Sequence, residues 1–242
     1  MQSVVLIHAF PLDSRMWRPQ LQALGDAGVE VLAPDLRGFG ASAPPPYPTS
    51  IAEHADDLVS LLDRERIAKA HLVGLSLGGY VALAFAQRHP TRLAGIVLAD
   101  TRAPADSPAA REARDVNIAK VRREGTAALL EGMLPKLVSK HAPPVLLDEL
   151  RTIARDQPPE GMAAVLAAMR DREDLTDVAE RLTVRATIVV GAEDAITGKD
   201  EAQALAHRMK DANYVELDRA GHLSNLEQSQ DFSRALLTHL RD

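Results

Sequence analysis

The chain has 242 residues, 46% hydrophobic and 26% charged, with a net charge of -6 and no cysteine. That length suits one α/β domain carrying an insertion, with enough apolar residues for a sizeable core. Lack of cysteine excludes disulfides, thiolate catalysis and zinc–thiolate sites, while the negative charge and 3% aromatic content disfavour nucleic acid as a partner.

Residues 3–8 form a continuous apolar run of the kind a parallel sheet buries on both faces. The run is too short, and too free of preceding basic residues, for a signal or membrane segment, so a cytoplasmic location is expected. His8-Ala9-Phe10-Pro11 breaks it, and residues 15–28 follow with Met16, Trp17, Leu21 and Leu24 at helical spacing. Residues 29–34 read as a second strand, residues 35–42 leave its carboxyl end, and Pro44-Pro45-Pro46 make a loop. Residues 51–66 are an amphipathic helix carrying Leu58, Leu61 and Leu62.

Residues 70–90, AHLVGLSLGGYVALAFAQRHP, pass from a strand through a Gly-Ser-Gly corner into an apolar helix that ends at Pro90. Another buried strand spans residues 93–100. Strand-like runs then vanish from residue 101 to residue 183, which read as three or four helices over 108–123, 126–139, 145–157 and 160–172. Pro135, Pro143-Pro144 and Pro158-Pro159 punctuate them. Alternation resumes with strands at 185–191 and 214–217 and helices at 200–210 and 226–240. The pattern predicts an α/β fold: a mostly parallel sheet with helices on both faces, residues 1–101 and 184–242 forming the core. Residues 102–183 would form a helical cap over the carboxyl edge of the sheet, where open α/β sheets bind ligands.

Gly74-Leu75-Ser76-Leu77-Gly78 fits G-x-S-x-G, a strand-to-helix elbow that exposes a serine. Side chains at 74 and 78 would collide with neighbouring chain, which glycine avoids. The bland alternative is a Gly-rich turn that happens to contain serine. A serine hydroxyl needs a base, and eight histidines compete. His222 stands in a loop between the last strand and the last helix, at the carboxyl edge. His54, His207 and His239 read as residues of helical surfaces, His89 precedes a helix-ending proline, His141 is in the cap, and His71 begins the elbow strand at the wrong end. The base in turn needs a carboxylate. Asp194 follows the strand at 185–191 and completes the chain order Ser76, Asp194, His222. Asp100 is a rival at the end of the preceding strand, Glu193 is adjacent to Asp194, and Asp218 reads as a brace for its own loop. Oxyanion donors are expected at the backbone N–H of Leu77 and of Phe10, since Pro11 cannot donate, and His8 reads as a brace for that loop.

HAFP, DLRGFGAS, GLSLGG, GAED and AGHLSNLE, in this order over the whole chain, resemble the α/β-hydrolase superfamily, in its branch of small capped bacterial esterases and 3-oxoadipate enol-lactonase-like enzymes. The resemblance implies the Ser76–Asp194–His222 triad, oxyanion donors at Phe10 and Leu77, a helical cap and no cofactor. Two departures stand out. Ala9 replaces the family's usual glycine after the first histidine, and the antiparallel hairpin normally found at the amino terminus has no counterpart here, which is expected to leave a sheet edge uncovered.

Gly38-Phe39-Gly40-Ala41-Ser42-Ala43 matches a dinucleotide fingerprint, but three prolines follow where a helix would have to hold the pyrophosphate. No phosphate-binding P-loop and no metal-binding spacing occurs. Trp17, Tyr80, Met133, Met162 and Met169 are assigned to packing rather than to a binding site. The expected partner is a small ester, lactone or similar acyl substrate, cleaved through an acyl-enzyme. Other reactions of the same machinery (C–C hydrolysis, perhydrolysis, aminopeptidase action) and slow-turnover binding or signalling are the alternatives.

Overall fold

The computed structural model describes residues 2–241. Six parallel strands form one sheet in the order β2-β1-β3-β4-β5-β6. β1 (Ser3–Ile7) is buried along its whole length, as a β-branched run flanked by strands on both sides must be. β2 (Glu30–Leu32) is a short, half-exposed edge strand. β3 (Ala70–Leu75), β4 (Leu93–Ala99), β5 (Arg185–Gly191) and β6 (Ala212–Leu217) follow outward on the other side of β1. The chain therefore reverses its direction of travel across the sheet between β1 and β3. At such a switch point, outside the carboxyl ends of the two strands, open α/β sheets bind their ligands.

Helices cover both faces. α1 (Arg18–Asp26) packs with α10 (Ser229–Arg241) on one side, where Trp17 and Phe232 meet at 5.9 Å. α2 (Ile51–Arg64) and α3 (Leu77–Arg88) cover the other. α2 starts where the Ser50 side chain accepts from Glu53 N–H, and it turns Ile51, Ala55, Leu58 and Leu62 inward. α3 is buried from Leu77 to Ala86, so its apolar all-round composition matches its central place.

Between β4 and β5 the chain is helical: α4 (Pro108–Leu137), α5 (Pro144–Arg155), α6 (Pro159–Arg170) and α7 (Thr176–Arg181). α4 breaks at Gly125, whose φ of 82° and ψ of 177° are non-helical, so the two expected helices are present and meet at that bend. α7 is an extra element, too short to announce itself by periodicity. This insertion is stitched to loops at the carboxyl edge. Gln157 donates to Asp13 at 2.7 Å and accepts from Gly40 N–H at 2.8 Å, Arg15 pairs with Asp156 at 2.7 Å, and Leu223 N–H donates to Leu137 O at 2.9 Å. Met162 and Met169 are buried, consistent with packing. α8 (Lys199–Arg208) packs on β5 and β6. The closing helix expected over 226–240 is divided into α9 (Ser224–Glu227) and α10, because Gln228 leaves helical geometry.

Two sequence expectations fail here. His54 and His239 are not surface residues: they are 0% and 2% exposed. The amphipathic spacing of α2 and α10 points both rings inward, on the same face as the apolar residues. Among the described residues, no helix is long and apolar enough to cross a membrane.

Candidate active site

β3 ends at Leu75, paired with Ala99 of β4, and the chain turns at once into α3. Ser76 takes the turn at φ 54° and ψ -110°, a left-handed conformation that few residues with a side chain adopt. The corner is held on several sides. Ser76 N–H donates to Ala99 O at 2.9 Å, Thr101 Oγ1 donates to Ser76 O at 2.8 Å, and Gly79 N–H donates to the same oxygen at 2.9 Å. A Cβ at Gly74 would stand 2.1 Å from Gly78 O, and one at Gly78 would stand 2.1 Å from Ile7 O. Both glycines are thus required by the close approach of backbone to backbone, as the motif demands. The serine is half-exposed while its neighbours Leu75 and Leu77 are fully buried.

The loop after β1 runs alongside. His8, fully buried, donates from Nδ1 to Ala9 O at 3.1 Å and accepts at Nε2 from Leu36 N–H at 3.0 Å. Burial lowers its pKa, which keeps the ring neutral and suits one donor and one acceptor nitrogen. It braces the loop, as expected. Phe10 follows, its ring edge-on to Phe39 at 6.0 Å. Leu77, as the first residue of α3, has no intrahelical acceptor for its N–H. Neither the Phe10 nor the Leu77 amide donates to another group among the described residues.

His222 lies in the loop between β6 and α9. Its Nδ1 is 3.0 Å from both carboxylate oxygens of Asp194, and both side chains are almost wholly buried. Asp194 also accepts from Ile196 N–H at 2.8 Å, from Thr197 N–H at 3.2 Å and from Thr197 Oγ1. Burial alone would raise the pKa of this carboxyl. The bonds from His222, Thr197 and Ile196 outweigh it and hold the value down to about 2. An ionised carboxylate only accepts, so His222 Nδ1 is the donor in this bond, and in the neutral tautomer this leaves Nε2 as an acceptor.

The rival carboxyls are elsewhere. Asp100 is fully buried, accepts from Gly191 N–H at 2.8 Å and from Ser224 Oγ, and does not bond His222. Burial and the nearby Asp194 charge push its pKa well above the usual range. Glu193 faces His141 of the insertion at 3.2 Å. Asp218 does not brace the His222 loop: it is exposed, and Glu227 takes that part, accepting from Gly221 N–H at 2.7 Å. Asp218 is nearer to His222 in sequence, but its side chain lies in solvent. A short helix carries Glu227 back to the loop, which spacing alone does not reveal.

The geometry therefore brings His222 and Asp194 together, and puts Ser76, Phe10 and Leu77 on the same edge of the sheet, past the carboxyl ends of β1 and β3. Among the described residues, Ser76 Oγ makes no hydrogen bond to His222, whose bonded partner is Asp194. Gly38 and Gly40 have φ of 93° and 47°, and their loop continues into a three-residue 3-10 turn, Gly40–Ser42. Asp35 fills the space beside Gly40, where a Cβ would lie 2.2 Å from its Oδ2. Among the described residues, no group of three or more His, Asp or Glu side chains could hold a metal ion.

Known proteins share this frame. A Caulobacter vibrioides protein named for carbamate hydrolysis, RutD, is 30% identical over 232 residues, 93% of this chain and 84% of its own length. A thermophilic esterase from Thermogutta terrifontis superposes with a TM-score of 0.96 at 39% identity, over all of this chain and 90% of that one. The enol-lactonase from Burkholderia xenovorans superposes with a TM-score of 0.92 at 32% identity, over all of this chain and 92% of that one. The family profile described as the Alpha/beta hydrolase family matches residues 4–235. With the parallel sheet, the strained serine elbow and these likenesses in agreement, the chain belongs to the alpha/beta hydrolase family.

Proposed function

We propose that this protein is a serine hydrolase that cleaves a small carboxylic ester or lactone through an acyl-enzyme, with Ser76 as nucleophile, His222 as base and Asp194 as the residue that orients it. The observation that carries this reading is the buried His222–Asp194 pair, whose free Nε2 acceptor belongs to the same sheet edge as the strained Ser76 corner. In the reaction the Ser76 proton passes to His222 Nε2 while Oγ bonds the carbonyl carbon and the carbonyl electron pair moves onto oxygen. The Leu77 and Phe10 amides hold that oxyanion, each worth roughly 3 kcal/mol of barrier. Collapse expels the alkoxide, which takes the proton from His222. Water then gives a proton to His222 as its oxygen bonds the acyl carbon, and collapse breaks the bond to Ser76 Oγ, which takes that proton back as the acid leaves.

Residues 102–183 are read as the cap of this site, set on a core of residues 1–101 and 184–242. The esterase and enol-lactonase likenesses favour an ester or lactone. The RutD likeness supports a second reading in which a carbamate carbonyl takes the same place. The test is turnover of short-chain p-nitrophenyl esters, lactones and carbamates, with Ser76→Ala as control. Ser76→Ala is expected to lose at least about 10⁴-fold in kcat/KM and to lose fluorophosphonate labelling. A Ser76→Ala protein that still turns over the preferred substrate sinks the mechanism.

A further inference from the structure

We propose that Glu227 is a positioning residue that clamps the His222 loop to the helical insertion, so that the insertion itself sets where the imidazole sits. The inference rests on His222 being the base. Glu227 ends α9, five residues past His222. Its Oε1 accepts from Gly221 N–H at 2.7 Å and from Ser139 N–H at 3.1 Å, and its Oε2 accepts from Ser139 N–H at 2.9 Å and Ser139 Oγ–H at 2.6 Å. Gly221 immediately precedes His222, and Ser139 lies just past the end of α4. One carboxylate thus joins the residue before the imidazole to the insertion. The residue after it is joined as well, since Leu223 N–H donates to Leu137 O at 2.9 Å.

Contact is close enough to act as a mechanical link. A Cβ added at Gly221 would stand 2.6 Å from both Ser139 N and Val138 C and 3.0 Å from Glu227 Oε1, so the glycine is there to let segment 137–139 pass. Beyond His222 the chain is also anchored to the core: Ser224 to Asp100, and Asn225 to Gln20 and Met16. Before it, Ala220 O accepts from Glu193 N–H at 2.8 Å, and Glu227 takes the Gly221 amide. Charge-assisted bonds from a carboxylate to backbone N–H are among the stronger hydrogen bonds, and three donors converge on this one. Losing them frees the Gly221 side of the loop to shift, which misplaces Nε2 relative to Ser76. A misplacement of this kind slows proton transfer more than it weakens substrate binding.

The experiment uses the full chain with Glu227→Ala, Glu227→Gln, Ser139→Ala and the Glu227→Ala/Ser139→Ala double variant. Three readouts are taken: the thermal midpoint, kcat and KM on p-nitrophenyl acetate, and the downfield proton NMR signal of the His222 Nδ1–H bonded to Asp194. Glu227→Ala is expected to lower kcat by up to about 100-fold with KM changed by less than about twofold, and to shift or broaden the Nδ1–H signal. Glu227→Gln keeps one acceptor oxygen and should fall between wild type and Ala. The double variant should be no worse than Glu227→Ala, because both substitutions break the same link. Folded variants with unchanged kcat and an unchanged Nδ1–H signal overturn the proposal, as does a kcat loss that merely follows the folded fraction. If Glu227→Ala does not fold, Glu227→Gln and Ser139→Ala decide by the same criteria. If the wild type neither turns over esters nor takes up a fluorophosphonate at Ser76, the hydrolase reading fails, while the NMR signal still judges the clamp.

Discussion

Ser76 carries strain of order 1–3 kcal/mol in its backbone, and its hydrogen bonds to Ala99 O and from Thr101 and Gly79 are what keep it there. The two buried aspartates at this edge are chemically opposed. Asp194 is held ionised by donors on every side, whereas Asp100 is driven toward its neutral form by burial and by the charge of Asp194. Paired substitutions separate their parts. Asp194→Asn places an amide opposite Nδ1, favours the wrong tautomer and should reduce kcat by about 10⁴-fold. Asp100→Asn has the same shape as the neutral acid and can still accept from Gly191 N–H, so kcat should fall by less than about tenfold, the scale of one altered hydrogen bond. Steady-state kinetics of both proteins, with circular dichroism to confirm folding, checks the pair. Equal losses would remove the distinction between the two carboxyls.

At the scale of elements, glycine and proline placement did most of the dividing. The proline pairs 143–144 and 158–159 separate α4, α5 and α6, and Gly125 bends α4 between the two helices expected over 108–123 and 126–139. Nothing lies within 4 Å of a Cβ built at Gly125, so the obstacle to a side chain there is purely conformational. Helix propensity alone says that Gly125→Ala stabilises by about 1 kcal/mol. The observed φ and ψ say the reverse: a loss of about 1–3 kcal/mol, since that region of backbone space is nearly closed to alanine. Urea unfolding of Gly125→Ala distinguishes the two by sign, and a higher midpoint would refute the bend. The division of the closing helix was not visible in the sequence. Asn225 is committed to Gln20 and Met16 on the far side of the chain, and a window of local residues carries no trace of that partner.

The molecule as a whole is built to be unstable in acid. Among the described residues, both buried ring nitrogens of His54 have no hydrogen-bond partner, and burial first, then the nearby His8, lowers its pKa to about 3. His239 reaches about 3 as well, through burial and the neighbouring His71, which sits 3.1 Å from it. The unfolded chain binds these protons near pH 6.5 while the folded chain refuses them until about pH 3. Stability is therefore intact above pH 6.5 and is lost as pH falls below it, by about 1.4 kcal/mol per pH unit for each ring. Removing one ring should blunt the loss. His54→Leu is expected to be about 2 kcal/mol less penalised than wild type on going from pH 7 to pH 5. Urea midpoints at the two pH values measure this, and identical pH dependence in both proteins would show that His54 does not govern the acid limb.

What the sequence alone determined was local in origin. Backbone crowding at Gly74 and Gly78, the apolar runs of the strands and the proline breaks are all consequences of a few adjacent residues, so the parallel fold, the Ser76 elbow and the insertion could be read directly. Candidate partners for that serine could be ranked only by their position relative to strand ends, and this left Asp100 beside Asp194. Only tertiary structure decided which carboxylate faces His222, which histidines are buried, and that Glu227 rather than Asp218 holds the His222 loop. Each of those outcomes depends on groups far apart in the chain meeting at one sheet edge, where burial and donor geometry, not spacing, set the charge and the direction of every bond.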